Sequence, residues 1–185
     1  MAEGGQKKAS ATADFELLFV DESTVTQDFS IRACWMKRGQ QRRLPAPPGA
    51  NAFHHVIGAL NWRSQQVDYT LVKTKNSETF IEFLEHLLEG AYPQKRIVLV
   101  MDNAPWHRSH AVQAMLSLYE SRVLVIWLPP YCPMLNPIER FWRHMKDTAY
   151  ANTLYKSMNN LLDKVQQVLS AQNTINHPLR LNFVA

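Results

Sequence analysis

A chain of 185 residues is long enough for one well-filled core and short for two domains. With 46% hydrophobic and 19% charged residues, the composition is that of a globular domain and excludes a disordered chain. Lysine and arginine total 20 against 16 acidic residues, a formal charge of +4 with a pI near 9.1, which permits nucleic-acid binding without requiring it.

Residues 1–13 are small and polar and read as a flexible leader. The apolar run 15–20 predicts a buried strand that closes at Asp21. Prolines and glycines across 37–50 make that stretch a loop. Strands are expected at about 52–61 and 66–73, joined by a turn-length connection that suits a hairpin. From Ser77 the period changes: Phe80, Ile81, Phe83, Leu84, Leu87 and Leu88 recur at helical spacing until Gly90 stops the helix. The continuous apolar run 96–101 predicts a strand covered on both faces and closed by Asp102. A helix at about 107–120, a buried strand at 123–128, and helices at about 137–150 and 156–170 complete the order. Short turns make the first three strands antiparallel, and helical crossovers make the later ones parallel neighbours. The expected result is an α/β fold, a mixed five-stranded sheet flanked by helices, similar to the ribonuclease H-like fold. It would occupy 14–150, with 151–185 as a helical extension of the same domain.

Cys34 and Cys132 have no paired spacing, so neither a disulfide framework nor a zinc site is expected, and a reducing cytosol is the default. No apolar run approaches the roughly 18 residues needed to span a bilayer, and no membrane association is expected.

Three acids carry the chemistry. Asp21 and Asp102 close strands that the topology places side by side, and Glu139 follows in the next helix. Two carboxylates so close repel, and one keeps its proton unless a cation neutralises the pair. Mg²⁺ is a hard cation that takes oxygen ligands, and three such acids can grip two ions about 3.5–4 Å apart. Each acid alone also has a plain structural reading. A strand-end Asp initiates turns, and Asp102-Asn-Ala-Pro105 looks like turn chemistry. Asn136, Pro137 and Glu139 fit a helix cap, first-turn proline and capping-box acid, and Glu139 can pair with Arg143.

Four segments carry a resemblance. Phe19-Val-Asp-Glu-Ser-Thr24, Trp35-Met-Lys-Arg-Gly-Gln40, Val100-Met-Asp-Asn-Ala-Pro-Trp-His107 and the long Leu128-Pro-Pro-Tyr-Cys-Pro-Met-Leu-Asn-Pro-Ile-Glu-Arg-Phe-Trp142 resemble the catalytic-domain motifs of bacterial insertion-sequence transposases of the mariner-like (DDE) superfamily. The likeness runs from about residue 14 to about 150, and the interval from Asp102 to Glu139 is close to that family's usual spacing. Cys132 and Met134 depart from the residues common in the proline-rich loop.

The resemblance implies that Asp21, Asp102 and Glu139 are the catalytic, metal-binding triad, with Mg²⁺ as cofactor, Mn²⁺ as substitute and two ions bound. It implies DNA cleavage and strand transfer, with transposon ends and target DNA as partners and a homodimer on paired ends. The family's helix-turn-helix region does not fit before residue 14, so a separate N-terminal region is expected to supply it. A nucleoid-associated cytoplasmic protein follows. His107, Asn103 and Asn136 are expected to support the site. Lys37, Arg38, Arg42, Arg43, Arg140, Arg143 and Lys146 are expected to bind DNA phosphates. Trp35, Trp62 and Trp106 offer rings for base stacking, whereas Trp142 reads as core. Glu22, next to Asp21, should point away from it, and at most one of His54 and His55 should lie near the site. Two other readings compete: a generic ribonuclease H-like nuclease, and a catalytically silent DNA-binding module of the same fold.

Overall fold

The computed structural model describes residues 15–27, 32–33, 35–40, 52–130 and 132–174. The expected leader, Cys34, Arg42 and Arg43 lie outside the described residues.

Five strands form one sheet in the order β3-β2-β1-β4-β5. They are β1 (Phe15–Thr26), β2 (Phe53–Asn61), β3 (Val67–Val72), β4 (Arg96–Met101) and β5 (Val123–Trp127). The β1–β2 and β2–β3 pairs are antiparallel, while β1–β4 and β4–β5 are parallel, as the connection lengths require. Helices α1 (Ser77–Glu85), α2 (His110–Ser117), α3 (Ile138–Ala149) and α4 (Met158–Gln172) flank the sheet.

Alternation along the strands divides the core in two. Leu18, Val20, Ile57, Ala59, Ile97, Leu99 and Met101 pack with α1 and α2 on one face. On the other, Val56, Leu60 and Val67 pack with Ile138, Phe141, Trp142 and Met145 of α3 and with Leu161 and Val165 of α4.

Several expectations are corrected. Strand β1 does not close at Asp21 but runs on to Thr26, because β2 keeps pairing with it through Thr26↔Phe53. Gly90 does not stop the first helix; a π-helical turn, His86–Ala91, carries it to Tyr92, whose N–H bonds to the Leu87 carbonyl. Helix α2 begins only at His110, capped by the Ser109 side chain, so His107 lies in the preceding turn. Strand β5 is buried on one face alone: Leu124 is 60% and Ile126 45% exposed, since α3 and α4 cover the β1–β3 half of the sheet.

Candidate active site

The site forms where the sheet splits. The parallel β1–β4 pairing ends at Phe19↔Val100, after which β1 continues against β2 alone. Asp21 stands just beyond that divergence, opposite Gly58, and Asp102 is the first residue after β4. Helix α3 brings Glu139 in its first turn, exposed to solvent. Asp21, Asp102 and Glu139 line one cleft of about 430 Å³, together with Asn103, Asn136, Cys132 and the prolines that follow Leu128. Among the described residues no three His, Cys, Asp or Glu side chains form a closed metal cluster; the acids border the cleft without filling it.

Asp21 is held from below. The buried Trp142 ring donates its Nε1–H to Asp21 Oδ2 at 3.1 Å. A Cβ at Gly58 would stand 2.6 Å from that ring, so only glycine leaves the indole its place. The Asp21 carboxyl is pushed up to about 7, chiefly by burial, then by the neighbouring charges of Glu139 and Glu22.

Asp102 is half-exposed, at 51%, and its Oδ1 accepts from the Ala104 N–H at 3.0 Å. The same oxygen lies 2.8 Å from His107 Nδ1, and this hydrogen bond is the main reason the Asp102 pKa is lowered. His107 is fully buried, and its Nε2 lies 2.8 Å from Glu22 Oε1. The Glu22 side chain is only 5% exposed and also accepts from Trp106 Nε1 at 3.2 Å. Burial alone would lower the His107 pKa, but the hydrogen bonds to Asp102 and Glu22 lift it to about 9. An imidazolium between two carboxylates donates through both nitrogens, as this geometry requires.

His107 therefore stands behind Asp102 rather than in the cleft. Asn103 lines the cleft, donates from Nδ2 to the Leu128 carbonyl at 2.5 Å and accepts from Arg108 Nε at 2.7 Å. Asn136 does not cap α3: Pro137 takes the cap position with no side-chain bond, so the capping box does not form. Instead Asn136 is buried, donates from Nδ2 to the Val20 carbonyl at 3.1 Å, and its Oδ1 has no partner among the described residues. Glu139 also makes no ion pair with Arg143 among the described residues. Arg140 and Arg143 are exposed on α3, Lys146 is half-buried, and Lys37 and Arg38 are exposed in the 35–40 segment. Neither His54 nor His55 lines the cleft; His55 Nδ1 lies 3.0 Å from Thr24 Oγ1.

Two supporting residues escape a strand-and-helix reading. Glu22 points away from Asp21 as alternation demands, but into the turn that holds His107 rather than into solvent. Trp142 lies three residues after Glu139, a spacing that places both on neighbouring faces of α3.

A mixed sheet of this order, with acids at the β1–β4 divergence and on the following helix, is a ribonuclease H-like domain of the kind found in integrase and transposase catalytic domains. The chain belongs to the DDE superfamily endonuclease family, which matches residues 16–162. It is 32% identical over 158 residues to the insertion element IS630 uncharacterized 39 kDa protein of Shigella sonnei, covering 85% of this chain and 46% of that protein. Among solved structures it is similar to the Mos1 transposase paired-end complex with left transposon end: TM-score 0.66, 21% identity, 84% of this chain and 48% of that one. It is also similar to the catalytic core domain of BIV integrase: TM-score 0.54, 12% identity, 88% of this chain and 86% of that one. Mos1 paired-end complexes with Mn and with Mg are further neighbours. The chain spans about half the length of the insertion-element relative and of the Mos1 chain. The resemblance read from the motifs is thus borne out at the level of family and fold. Among the described residues no helix is long and apolar enough to cross a membrane.

Proposed function

We propose that this chain is the catalytic domain of a transposase that cuts DNA and joins the cut strand to a target during movement of an insertion sequence. The observation that carries the reading is the meeting of Asp21, Asp102 and Glu139, from three separate elements, around one cleft. The insertion-element relative and the Mos1 transposase neighbours support it.

The donor set fits hard divalent cations. All three acids offer oxygen, and Asn136, whose buried Oδ1 has no partner among the described residues, lines the same cleft. Asp21, Asp102 and Glu139 would hold two Mg²⁺, with Mn²⁺ as substitute. Bound there, the ions supply positive charge to the phosphoryl group and to its entering and leaving oxygens.

The protein residues divide the remaining work. His107, anchored on Glu22, fixes the Asp102 carboxylate, and Trp142 fixes that of Asp21. Asn103 ties the Asp102 loop to the end of β5. In the first reaction water displaces the 3′ oxygen from phosphorus and leaves a 3′-hydroxyl. That hydroxyl then attacks a target phosphodiester, forming one P–O bond as another breaks. Lys37, Arg38, Arg140, Arg143 and Lys146 bind flanking phosphates, with Arg42 and Arg43 assigned the same task from sequence. Two copies meet on paired ends, and a helix-turn-helix region outside this domain reads the end sequence.

The test is nicking of supercoiled plasmid DNA in Mn²⁺ or Mg²⁺, with an RNA–DNA hybrid as competing substrate. Wild-type protein should nick DNA, and Asp102→Asn should lose at least about 100-fold. Equal nicking by both proteins would overturn the assignment, and preference for the hybrid would move it to a generic nuclease.

A further inference from the structure

The loop from Asp102 to Ser109 has two halves. The first belongs to the carboxylate site; the second delivers Arg108, which that site leaves unused. The loop is tightly held there: Ser109 caps α2, and Gln113 Nε2 donates to the His107 carbonyl at 3.4 Å. Arg108 is exposed, yet its side chain is fixed at two points. Its guanidinium carbon lies 4.4 Å from the centre of the Trp127 ring, and its Nε donates to Asn103 Oδ1 at 2.7 Å. Asn103 is itself a wall of the cleft, bonded to the Leu128 carbonyl.

An arginine left free loses rotamer entropy when a ligand immobilises it. Here the stack on Trp127 and the Nε bond have already restricted that freedom. No acid pairs with Arg108 among the described residues, and its terminal nitrogens have no hydrogen bond there. Its planar fork is therefore held in place, charged and without an acid partner among the described residues, next to the Asn103 wall of the cleft.

Lys75 repeats the construction from the β3–α1 connection. Its Nζ lies 5.5 Å over the Trp106 ring, whose Nε1–H is tied to Glu22. It lies near enough to Asp102 to help lower that group's pKa. Both cations are thus seated on tryptophans, Arg108 bonded to the Asn103 wall of the cleft and Lys75 close enough to Asp102 to act on its charge.

We propose that Arg108 and Lys75 form a phosphate-gripping rim that binds the DNA backbone next to the bond being cut. Arg108 presents a bidentate fork suited to two phosphate oxygens, and Lys75 a point charge. This rests on the reading of the domain as a DNA-cutting enzyme. The competing explanation is that Arg108 merely covers an apolar ring with its stem, and salt dependence separates the two.

The experiment is fluorescence anisotropy of a labelled DNA duplex with the full chain in EDTA, across a salt series. Controls are a melting curve for every variant and Arg63→Ala, an exposed charge on the β2–β3 turn that does not line the cleft. Arg108→Ala should weaken binding about 5–10-fold near physiological salt and reduce the slope of log K against log salt by about 0.9. Lys75→Ala should lower the slope by a similar amount. Arg108→Lys should keep the slope but lose about 3-fold in affinity, because charge survives and the fork does not. Unchanged affinity and slope in Arg108→Ala, or an equal loss in Arg63→Ala, would overturn the rim alone. Wild-type protein that neither binds nor nicks DNA would instead overturn the reading beneath it.

Discussion

At the scale of single residues, the site consists of acids placed by groups that face away from the cleft. Gly58 matters because of what it lacks. Its missing side chain lets the Trp142 indole lie under Asp21, so a strand residue of one hairpin sets the orientation of a carboxylate on its neighbour. Gly58→Ala should therefore cost about 1–3 kcal/mol by overpacking and should displace the ring. Trp142→Phe tests the polar half of the same contact. It keeps most of the ring but removes the N–H, and Mn²⁺ affinity measured by calorimetry should fall about 10-fold. A variant that loses stability in urea but keeps full Mn²⁺ affinity would show that the indole only fills space. The Glu22–His107 pair has the same logic on the other acid. Glu22→Gln retains an acceptor for Nε2–H and should be tolerated better than Glu22→Ala, which strands a buried imidazole.

Elements explain why the acids were readable from sequence and their supports were not. The apolar runs before Asp21 and Asp102 announce strands, and the period change at Ser77 announces α1. These are local signals, and the structure follows them to within a few residues. Tertiary pairing decides the rest. Polar Glu22 to Thr26 looks like the end of a strand, yet β2 holds it extended, which puts Asp21 inside β1. The His107–Glu22 contact joins positions 85 apart, so no local pattern marks it. Asn136 has the sequence of a cap, but its amide is drawn to the Val20 carbonyl at the sheet instead. A further cross-element network lies away from the cleft: Tyr92 donates to Asp68 Oδ2 at 2.8 Å, and Asn61 bonds to both Tyr92 and Glu16. Burial raises the Asp68 pKa above its ordinary value, more than the Tyr92 bond lowers it. A carboxyl raised on folding favours the native state while protonated, and that advantage is lost as pH rises through its folded pKa. Asp68→Asn can still accept from Tyr92, so it should be the more stable protein at pH 7, on the order of 0.5 kcal/mol after solvent screening. The gap should close near pH 4, as followed by thermal melting. A variant less stable than wild type at pH 7 would contradict this account.

For the whole molecule, the decisive arrangement is two cores on opposite faces of one sheet with the acids at their seam. Asp21 lies in the sheet and Asp102 directly follows β4, but Glu139 arrives only when α3 docks through Phe141, Trp142 and Met145. Helix α4 packs beside it, and Asn173 locks that layer to the edge of β3, accepting from Val67 N at 2.7 Å and donating to Val67 O at 2.9 Å. Folding thus drives carboxylates together, and the metal-free domain bears their repulsion and the burial of Asp21. A cation bound at the proposed site would reverse the balance. At 100 times its Kd, Mn²⁺ should stabilise the fold by about 2.7 kcal/mol, a rise of about 5–10 °C in Tm for a chain of this size. Asp21→Asn should show the opposite pattern: more stable than wild type in EDTA, because a buried charge is gone, and less stable in saturating Mn²⁺, because a ligand is gone. Asn173→Ala, which leaves the Val67 N–H and carbonyl without their Asn173 partner, should destabilise the fold by about 1–3 kcal/mol in both conditions while preserving the Mn²⁺ increment. Melting curves for the three proteins with and without Mn²⁺ should therefore cross for Asp21→Asn and run parallel for Asn173→Ala. Parallel curves for both variants would mean that the acids do not meet around a cation, and the seam would have no function in metal binding.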